Sequence, residues 1–335
     1  MKKSACLFLA LILISMQLAG CKNKSNTTVE ESQISDTQNS ETLQQENPTQ
    51  NFEYEENDND GITITKYIGN EINVTIPERI ANKIVTCIGK HAFQGKDIQS
   101  VDMPDSITEI EYRGFAYNTS LQTVNLSQNL SVIGTEAFMG CSSLANITLP
   151  NTLITIGAAS FQGCTQLKRI TIPASTKTIG DQAFDGAGLE TVIFEDGIEK
   201  IGGYGSFACT KIEQLVLPSS VKEIGISTFA ACPNLESVAL NEGLVKIGHK
   251  AFVNNPKLKK IVIPKTVEFV TEMDFNMCSG LRKIMFDGNA PATFEYSDSI
   301  SGVWEPYNVN FTVYYHEGAT GFTSPEWYGY PTQIW

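Results

Sequence analysis

The sequence predicts a mainly β repeat solenoid, in which short strands alternate with turns or 3-10 segments. A pattern of 22 or 23 residues recurs around nine phenylalanines, which are Phe93, Phe115, Phe138, Phe161, Phe184, Phe207, Phe229, Phe252 and Phe275. The dipeptide Ile-Gly stands five residues before most of the middle ones, and a run such as "LQTVNL" or "LKKIVIP" precedes it. Such a period indicates stacked units, because one unit cannot bury its apolar surface alone.

The first twenty residues have the pattern of an export signal. Lys2 and Lys3 precede an apolar run, Ala5 to Met16, which is too short to cross a bilayer. The run ends in "LAGC" at residues 18–21 and resembles the lipobox of bacterial lipoproteins, in which the cysteine carries the lipid. An ordinary secretory signal is the alternative. Cys21 is therefore the predicted lipidation site, and it would hold the chain on the extracellular face of a cell membrane.

Residues 21–60 are predicted to comprise the lipidated cysteine and a disordered polar tether. Residues 22–60 contain ten acidic residues against Lys22 and Lys24, and they have almost no apolar content. Such a segment cannot offset the entropy lost on ordering. As a flexible coil it would span roughly 35 Å. Lys22 and the long tether favour a Gram-positive surface, and the net charge of −13 gives no reason to expect a nucleic-acid partner.

Each repeat is predicted to contain one strand and one turn that carries the phenylalanine. In "LxxIxI" the three apolar side chains point to one side, and β-branched residues favour a strand. Proline often closes the run, as at Pro150 and Pro173, where no ladder donor is needed. The glycine of Ile-Gly suits a turn with positive φ. The ring of each Ala-Phe points inward, where successive rings can stack.

The repeat resembles the unit of BspA-like leucine-rich repeat proteins, which reads much like "LxxIxIPxxVxxIGxxAFxxC". The resemblance implies a right-handed solenoid at residues 98–286, an N-terminal hairpin and first turn at residues 61–97, and a C-terminal cap at residues 287–335. Family members are typically exposed on bacterial surfaces, and some are adhesins. Glu111 and Thr271 replace the expected glycine, so the rungs that contain them are expected to be distorted.

The cysteines of the repeats are predicted to form a ladder of small, partly buried side chains. The position three residues after each phenylalanine holds cysteine in four repeats and asparagine, alanine or threonine in others. A site that accepts these residues does not behave as a catalytic one. A disulfide between Cys141 and Cys164, on adjacent rungs, is the alternative. No CxxC, HxxxH, GxSxG, HExxH or P-loop occurs, so we expect no metal, no cofactor and no enzymatic activity.

The outward column of the strands is the predicted binding surface. It begins polar and turns apolar in the C-terminal repeats, at Ile193, Val216, Ala239, Val262 and Met285. Positive side chains flank its end, at Lys259, Lys260, Arg282 and Lys283. An exposed apolar stripe with charged flanks is typical of a partner surface. The alternative is that β-branched residues merely favour the strands, or that loops cover them.

The aromatic C-terminus has two interpretations. Residues 304–335 contain all three tryptophans and seven phenylalanines or tyrosines. They can form a platform for sugars, but a structural cap over the open end of the solenoid is favoured.

The sequence thus predicts a lipid-anchored adhesin that binds a protein or glycan through its strand face. An envelope scaffold without a host ligand is the alternative, and an enzyme with its site in the cap is a third hypothesis.

Overall fold

The computed structural model describes residues 48–58, 60–292, 294 and 311–335. These residues form a mainly β solenoid of about 11 turns with almost no helix, as the repeat predicts. The predicted signal peptide, Cys21 and most of the predicted tether lie outside the described residues. Among the residues that are described, no helix is long and apolar enough to cross a membrane.

The N-terminal end is closed by antiparallel pairs. The first elements are a 3-10 helix (Pro48–Asn51) and strands β1 (Phe52–Glu56), β2 (Ile62–Tyr67), β3 (Asn73–Thr75), β4 (Arg79–Ile80) and β5 (Lys83–Ile88). Strand β1 pairs antiparallel with β2, and β4 with β5, whereas β2 and β5 are parallel. The predicted hairpin is therefore present.

Strand β1 corrects the predicted boundary of the tether. The polar composition predicts that residues 48–60 are disordered, but β1 covers the outer edge of β2. The Phe52 side chain is only 5% exposed, and its ring centroid lies 5.5 Å from that of Tyr67. Burial of one aromatic ring and the hydrogen bonds to the edge of β2 stabilise this segment enough to order it, although its composition is polar.

Most repeats contribute one strand to each of two sheet surfaces. The strands are β6 (Ser100–Asp102), β7 (Glu109–Ile110), β8 (Thr123–Asn125), β9 (Val132–Ile133), β10 (Asn146–Ile147), β11 (Thr155–Ile156), β12 (Arg169–Ile172), β13 (Thr178–Ile179), β14 (Thr191–Phe194), β15 (Lys200–Ile201), β16 (Gln214–Val216), β17 (Glu223–Ile224), β18 (Ser237–Ala239), β19 (Lys246–Ile247), β20 (Lys260–Ile263) and β21 (Lys283–Phe286). The even-numbered strands and β21 form the surface that we call the strand face. The odd-numbered strands from β7 to β19, each of two residues, form the back face.

The phenylalanine rings form one continuous stack inside the solenoid. All nine repeat phenylalanines are fully buried. Neighbouring centroids are 4.7 Å apart at Phe93–Phe115 and 6.2 Å apart at Phe252–Phe275, and the rings are close to parallel. The predicted stacking is therefore confirmed. Offset aromatic pairs at such distances contribute about 0.5–1.5 kcal/mol each beyond their burial.

The glycine of Ile-Gly is needed for a reason other than the predicted one. Gly134, Gly157 and Gly180 are absent from the residues with positive φ. A Cβ atom on Gly157 would instead lie 2.4 Å from the carbonyl carbon of Gly134 in the previous rung. Close approach of the two backbones, and not a left-handed turn, therefore excludes a side chain at this position.

The two rungs expected to be distorted differ from each other. At Glu111 the ladder continues, because its N–H donates to the Ile88 carbonyl at 2.8 Å. At Thr271 the back face is reduced to a single bridge between Lys246 and Phe269, and the second 3-10 helix (Glu272–Phe275) follows. The prediction is confirmed at Thr271 and wrong at Glu111.

The C-terminal cap extends the strand face and fills the end of the core. Strand β22 (Thr312–Tyr315) pairs in parallel with β21, β24 (Tyr330–Ile334) with β22, and β23 (Glu326–Trp327) pairs antiparallel with β24. Trp327 is buried, and its centroid lies 4.7 Å from that of Phe294 and 5.8 Å from that of Phe286. These rings cover the C-terminal end of the hydrophobic core.

Candidate ligand-binding surface

The apolar column on the strand face forms from residues that are equivalent in consecutive repeats. The parallel register places Val216 beside Ala239 and Val262 beside Met285, and it places Ile193 beside Thr171 of the preceding rung. Ile193 is 41% exposed and Val216 is 66% exposed. Ala239 is also exposed, whereas Val262 and Met285 are half-buried. Solvent therefore reaches the column best in its first three rungs.

Tyr314 extends the column beyond the predicted set. It lies beside Met285 in the register of β21 and β22, and its ring is half-buried. The repeat pattern does not predict this position, because β22 belongs to the cap, where the 23-residue period has ended. The only signal in the sequence is the alternation of "FTVYY", which predicts a strand but not its register.

A groove opens where the column begins. Strands β14 and β16 belong to separate sheets, although they lie on consecutive rungs. Between them is a groove of about 430 Å³, with Ile193 and Val216 in its lining and Glu190 and Glu213 among its polar groups. This part of the strand face therefore offers an apolar recess beside carboxylates.

Four cations surround the other end of the column. Lys259, Lys260, Arg282 and Lys283 are all exposed, and Lys260 lies directly beside Lys283 in the parallel register. The Lys283 Nζ atom is 4.9 Å from the centroid of the Tyr314 ring. We call these four residues the basic cluster. Like charges on neighbouring strands repel each other.

The basic cluster has no acidic partner among the described residues. Other lysines among these residues do form ion pairs with acidic side chains, as in Lys168–Glu190 at 3.5 Å and Lys257–Glu236 at 3.9 Å. Within the described ranges, no ion pair includes any of the four cations. Arg282 Nη1 instead donates to the carbonyls of Ser279 and Leu281, both at 2.8 Å. The cluster is therefore available to an anionic ligand.

The cysteine ladder proves to be part of the scaffold. Each buried thiol donates to the carbonyl of the phenylalanine one rung earlier, namely Cys141 to Phe115 (3.2 Å), Cys164 to Phe138 (3.3 Å), Cys232 to Phe207 (3.4 Å) and Cys278 to Phe252 (3.1 Å). All are free thiols, so the alternative disulfide between Cys141 and Cys164 is not formed. Burial raises the pKa of the Cys141 thiol to about 12, which keeps it protonated and unreactive.

Asparagine and threonine take the same part in the ladder. Asn255 Nδ2 donates to the carbonyls of Phe229 and Phe252 at 2.9 and 2.6 Å. Thr210 Oγ1 donates to the Phe207 carbonyl at 2.8 Å. Most residues at this position are small donors that satisfy a buried carbonyl, and the buried Ala187 shows that small size alone is also accepted.

A buried carboxylate replaces the usual small residue in the last complete repeat. Asp274 precedes Phe275, and it accepts N–H groups from Lys250 and Thr271, both at 2.7 Å. Its burial raises the pKa to about 7, against the lowering effect of these donors. No group of three His, Cys, Asp or Glu side chains within the described ranges is arranged to hold a metal ion.

Comparisons with known proteins agree with this architecture. A leucine-rich repeat protein from Bacteroides ovatus ATCC 8483 is 28% identical over 70% of this chain and 70% of its own, with a TM-score of 0.61. A leucine-rich repeat protein from T. pallidum is 29% identical over 62% of this chain and 88% of its own, with a TM-score of 0.50. No sequence among the curated proteins matches.

The family itself is identified by its repeat. Residues 86–207 and 203–301 match the family described as BspA type leucine rich repeat region, in six copies. These ranges cover more than half of the chain and contain the phenylalanine stack, the cysteine ladder and both halves of the strand face. The chain therefore belongs to the BspA type leucine rich repeat family.

Proposed function

We propose that this protein is a non-catalytic surface lipoprotein that acts as an adhesin and binds a protein ligand through the strand face of its C-terminal repeats. The observation that carries the proposal is the apolar column from Ile193 to Met285, which ends in a basic cluster that has no acidic partner in the described part of the chain. Repeat solenoids keep one packing unit constant and vary the exposed residues, an arrangement that suits binding.

The chemistry of the surface selects the kind of ligand. The basic cluster attracts carboxylates, and the adjacent column takes apolar side chains. An acidic glycan would pair with the four cations but would leave the apolar column unused. An acidic protein segment with apolar residues uses both, so a protein is the favoured ligand.

Attachment through Cys21 completes the proposal. A diacylglyceryl group at this cysteine would keep the solenoid outside the cell, at a distance set by the polar segment that follows. Growth with an alkyne-labelled fatty acid should label the protein, and Cys21→Ser should remove the label and release the protein into the medium. Retention of the label in Cys21→Ser would contradict the anchor.

The ligand surface is tested by charge reversal. The full chain in mild detergent is assayed against immobilised extracellular-matrix proteins and mucins at low and high salt. The quadruple variant Lys259→Glu, Lys260→Glu, Arg282→Glu and Lys283→Glu should weaken binding to its ligand by at least about tenfold, which equals about 1.4 kcal/mol. Wild-type binding should also fall as salt rises, because exposed charges are screened.

A matched control separates the site from net charge. Lys90, Lys96, Lys177 and Lys222 lie outside the basic cluster, and their reversal to glutamate changes the net charge by the same amount. This control variant should bind as the wild type does. An equal loss of ligand binding in the quadruple variant and in this control would contradict the proposed site. Binding only to deglycosylation-sensitive ligands would favour a glycan, and co-purification with an envelope complex without any such ligand would favour a scaffold.

A further inference from the structure

A second concave site lies between the last complete repeat and the cap, beside Phe269 of the back face. It is a cleft of about 620 Å³. Its lining includes apolar groups from Val267, Phe269 and Ala290, and polar groups from Lys265, Asp287 and His316. Clefts that bind small ligands have volumes of about 300–1,000 Å³. None of its lining residues belongs to the apolar column or the basic cluster, because they lie in the segments that follow strands β20, β21 and β22.

An exposed aromatic ring lies in this cleft. Phe269 pairs with Lys246 on the back face, where the preceding rungs carry Lys200 and Glu223. The charged residues form a ladder of ion pairs, with Lys200–Glu223 at 3.1 Å and Glu223–Lys246 at 3.4 Å. Phe269 interrupts the ladder and leaves half of its surface, 50%, in solvent. The exposed half of the ring is available to a ligand.

The polar groups of the cleft carry both signs of charge. His316 Nε2 lies 3.6 Å from an oxygen of Asp287, and the imidazole stacks on Trp335 with centroids 4.5 Å apart. Lys265 and Glu268 are exposed in the same lining. A strongly anionic ligand would meet two carboxylates, and a cationic ligand would meet Lys265. A neutral hydroxyl can donate to the carboxylates and accept from the ammonium group.

The loop that forms one wall is held in place before any ligand arrives. The Asp287 N–H donates to the Ile263 carbonyl at 3.0 Å, and the Ala290 N–H donates to the Thr320 carbonyl at 2.9 Å. Asn289 Oδ1 accepts the Thr320 N–H at 2.8 Å. A wall that is already ordered costs little conformational entropy when a ligand binds.

We propose that this cleft binds a neutral pyranose unit of a glycan. The apolar C–H face of the sugar packs on the Phe269 ring, whose negative π face attracts partly positive hydrogens. The hydroxyls at the edge of the sugar pair with Asp287, His316 and Lys265. A peptide side chain would use the ring but would leave the mixed charges unpaired, so the sugar fits the lining better.

The test uses the full chain in mild detergent on an array of neutral and acidic glycans. At least one neutral glycan should be retained, and its affinity is then measured by calorimetry. Phe269→Ala should weaken that affinity by about tenfold or more, because it removes the stacking surface. Asp287→Asn should weaken it less, because an amide still accepts one hydroxyl.

The controls distinguish a specific effect from a loss of fold. Tyr204→Ala removes an aromatic ring that is 57% exposed in another repeat, and it should leave glycan binding unchanged. Reversal of the basic cluster should also leave it unchanged, since the two sites are separate. The proposal is overturned when no neutral glycan is retained, when only acidic glycans bind, or when Phe269→Ala binds as tightly as the wild type. Circular dichroism of each variant verifies the fold.

Discussion

The N-terminal and C-terminal repeats share one core but carry different strand faces. In both regions the phenylalanine rings stack in parallel, with centroids 5.4 Å apart at Phe115–Phe138 and 5.8 Å apart at Phe229–Phe252. On the N-terminal strand face the polar groups pair with one another, as when Asn125 Nδ2 donates to Asp102 at 2.5 Å. On the C-terminal strand face the equivalent positions are apolar.

The outward column of the strand face is therefore the part of the repeat that is free to vary. Both columns stand on strands of the same register, so the scaffold does not distinguish Asp102–Asn125 from Val216–Ala239. The paired polar groups of the N-terminal repeats satisfy themselves, and they need no ligand. The apolar column and basic cluster of the C-terminal repeats stay exposed or unpaired, which is why we place the binding surface there.

The largest expected effect tests whether the two regions have equivalent cores. Phe138→Ala and Phe252→Ala each remove one ring from the continuous stack, and each should destabilise the protein by about 3–5 kcal/mol. Thermal and urea unfolding followed by circular dichroism would measure both losses. Tyr204→Ala, which truncates an exposed ring, should change stability little. A small loss in only one of the two core variants would show that the regions are not equivalent.

The largest effect of pH should come from the C-terminal region. The carboxyl of Asp274 has a pKa of 3.8 when unfolded and about 7 when folded, so the folded state binds more protons between these values. Stability therefore falls as pH rises from about 4 to about 7, by at most about 4 kcal/mol at 1.36 kcal/mol per pKa unit. Urea unfolding across this range measures the slope. Asp274→Asn should flatten it, and a slope that persists in this variant would exclude Asp274 as its source.

A smaller effect is expected from the cysteine ladder. Cys164→Ala removes the thiol that donates to the Phe138 carbonyl, at a cost of about 1 kcal/mol. Cys164→Ser keeps a donor and should recover part of the loss. In the native wild type, iodoacetamide should modify the exposed Cys209 before the buried Cys141, as mass spectrometry would detect. Rapid modification of Cys141 would contradict its place in the core.

The smallest change in stability should come from exchanging the two strand faces. Val216→Asn and Asn125→Val alter exposed positions of equivalent repeats, and each should change the free energy of unfolding by less than about 0.5 kcal/mol. Ligand binding should fall in Val216→Asn and stay unchanged in Asn125→Val. Calorimetric unfolding and the matrix-binding assay measure the two quantities. Equal binding by both variants would remove the distinction between the two strand faces.

The sequence predicted most of the scaffold because the scaffold is periodic. Nine phenylalanines at a spacing of 22 or 23 residues are sufficient to place the rings in one stack. The variety of residues at the cysteine position indicates a structural role. The predictions from the sequence are wrong where a single contact between distant residues decides the local structure. The strand at Phe52 lies in a polar segment, and the role of Gly157 depends on a backbone one rung away, which no local pattern reveals.

The candidate binding sites also differ in whether the sequence predicts them. Ile193, Val216 and the basic cluster are visible in the sequence, because alternation along a strand fixes which side chains point outward. The cleft beside Phe269 is not visible, since Asp287 and His316 are 29 residues apart and meet only when the cap folds against the last repeat. The same is true of Tyr314, whose register beside Met285 depends on how the cap continues the sheet.

The sequence alone therefore determined the repeat, its family and the faces of its strands, because a stacked unit specifies its own neighbours. Tertiary structure decided how the ends are closed, which cations lack partners and where a cleft opens. These features depend on contacts between residues that are distant in the chain, and such contacts follow from the packing of the whole core and not from the period of one repeat.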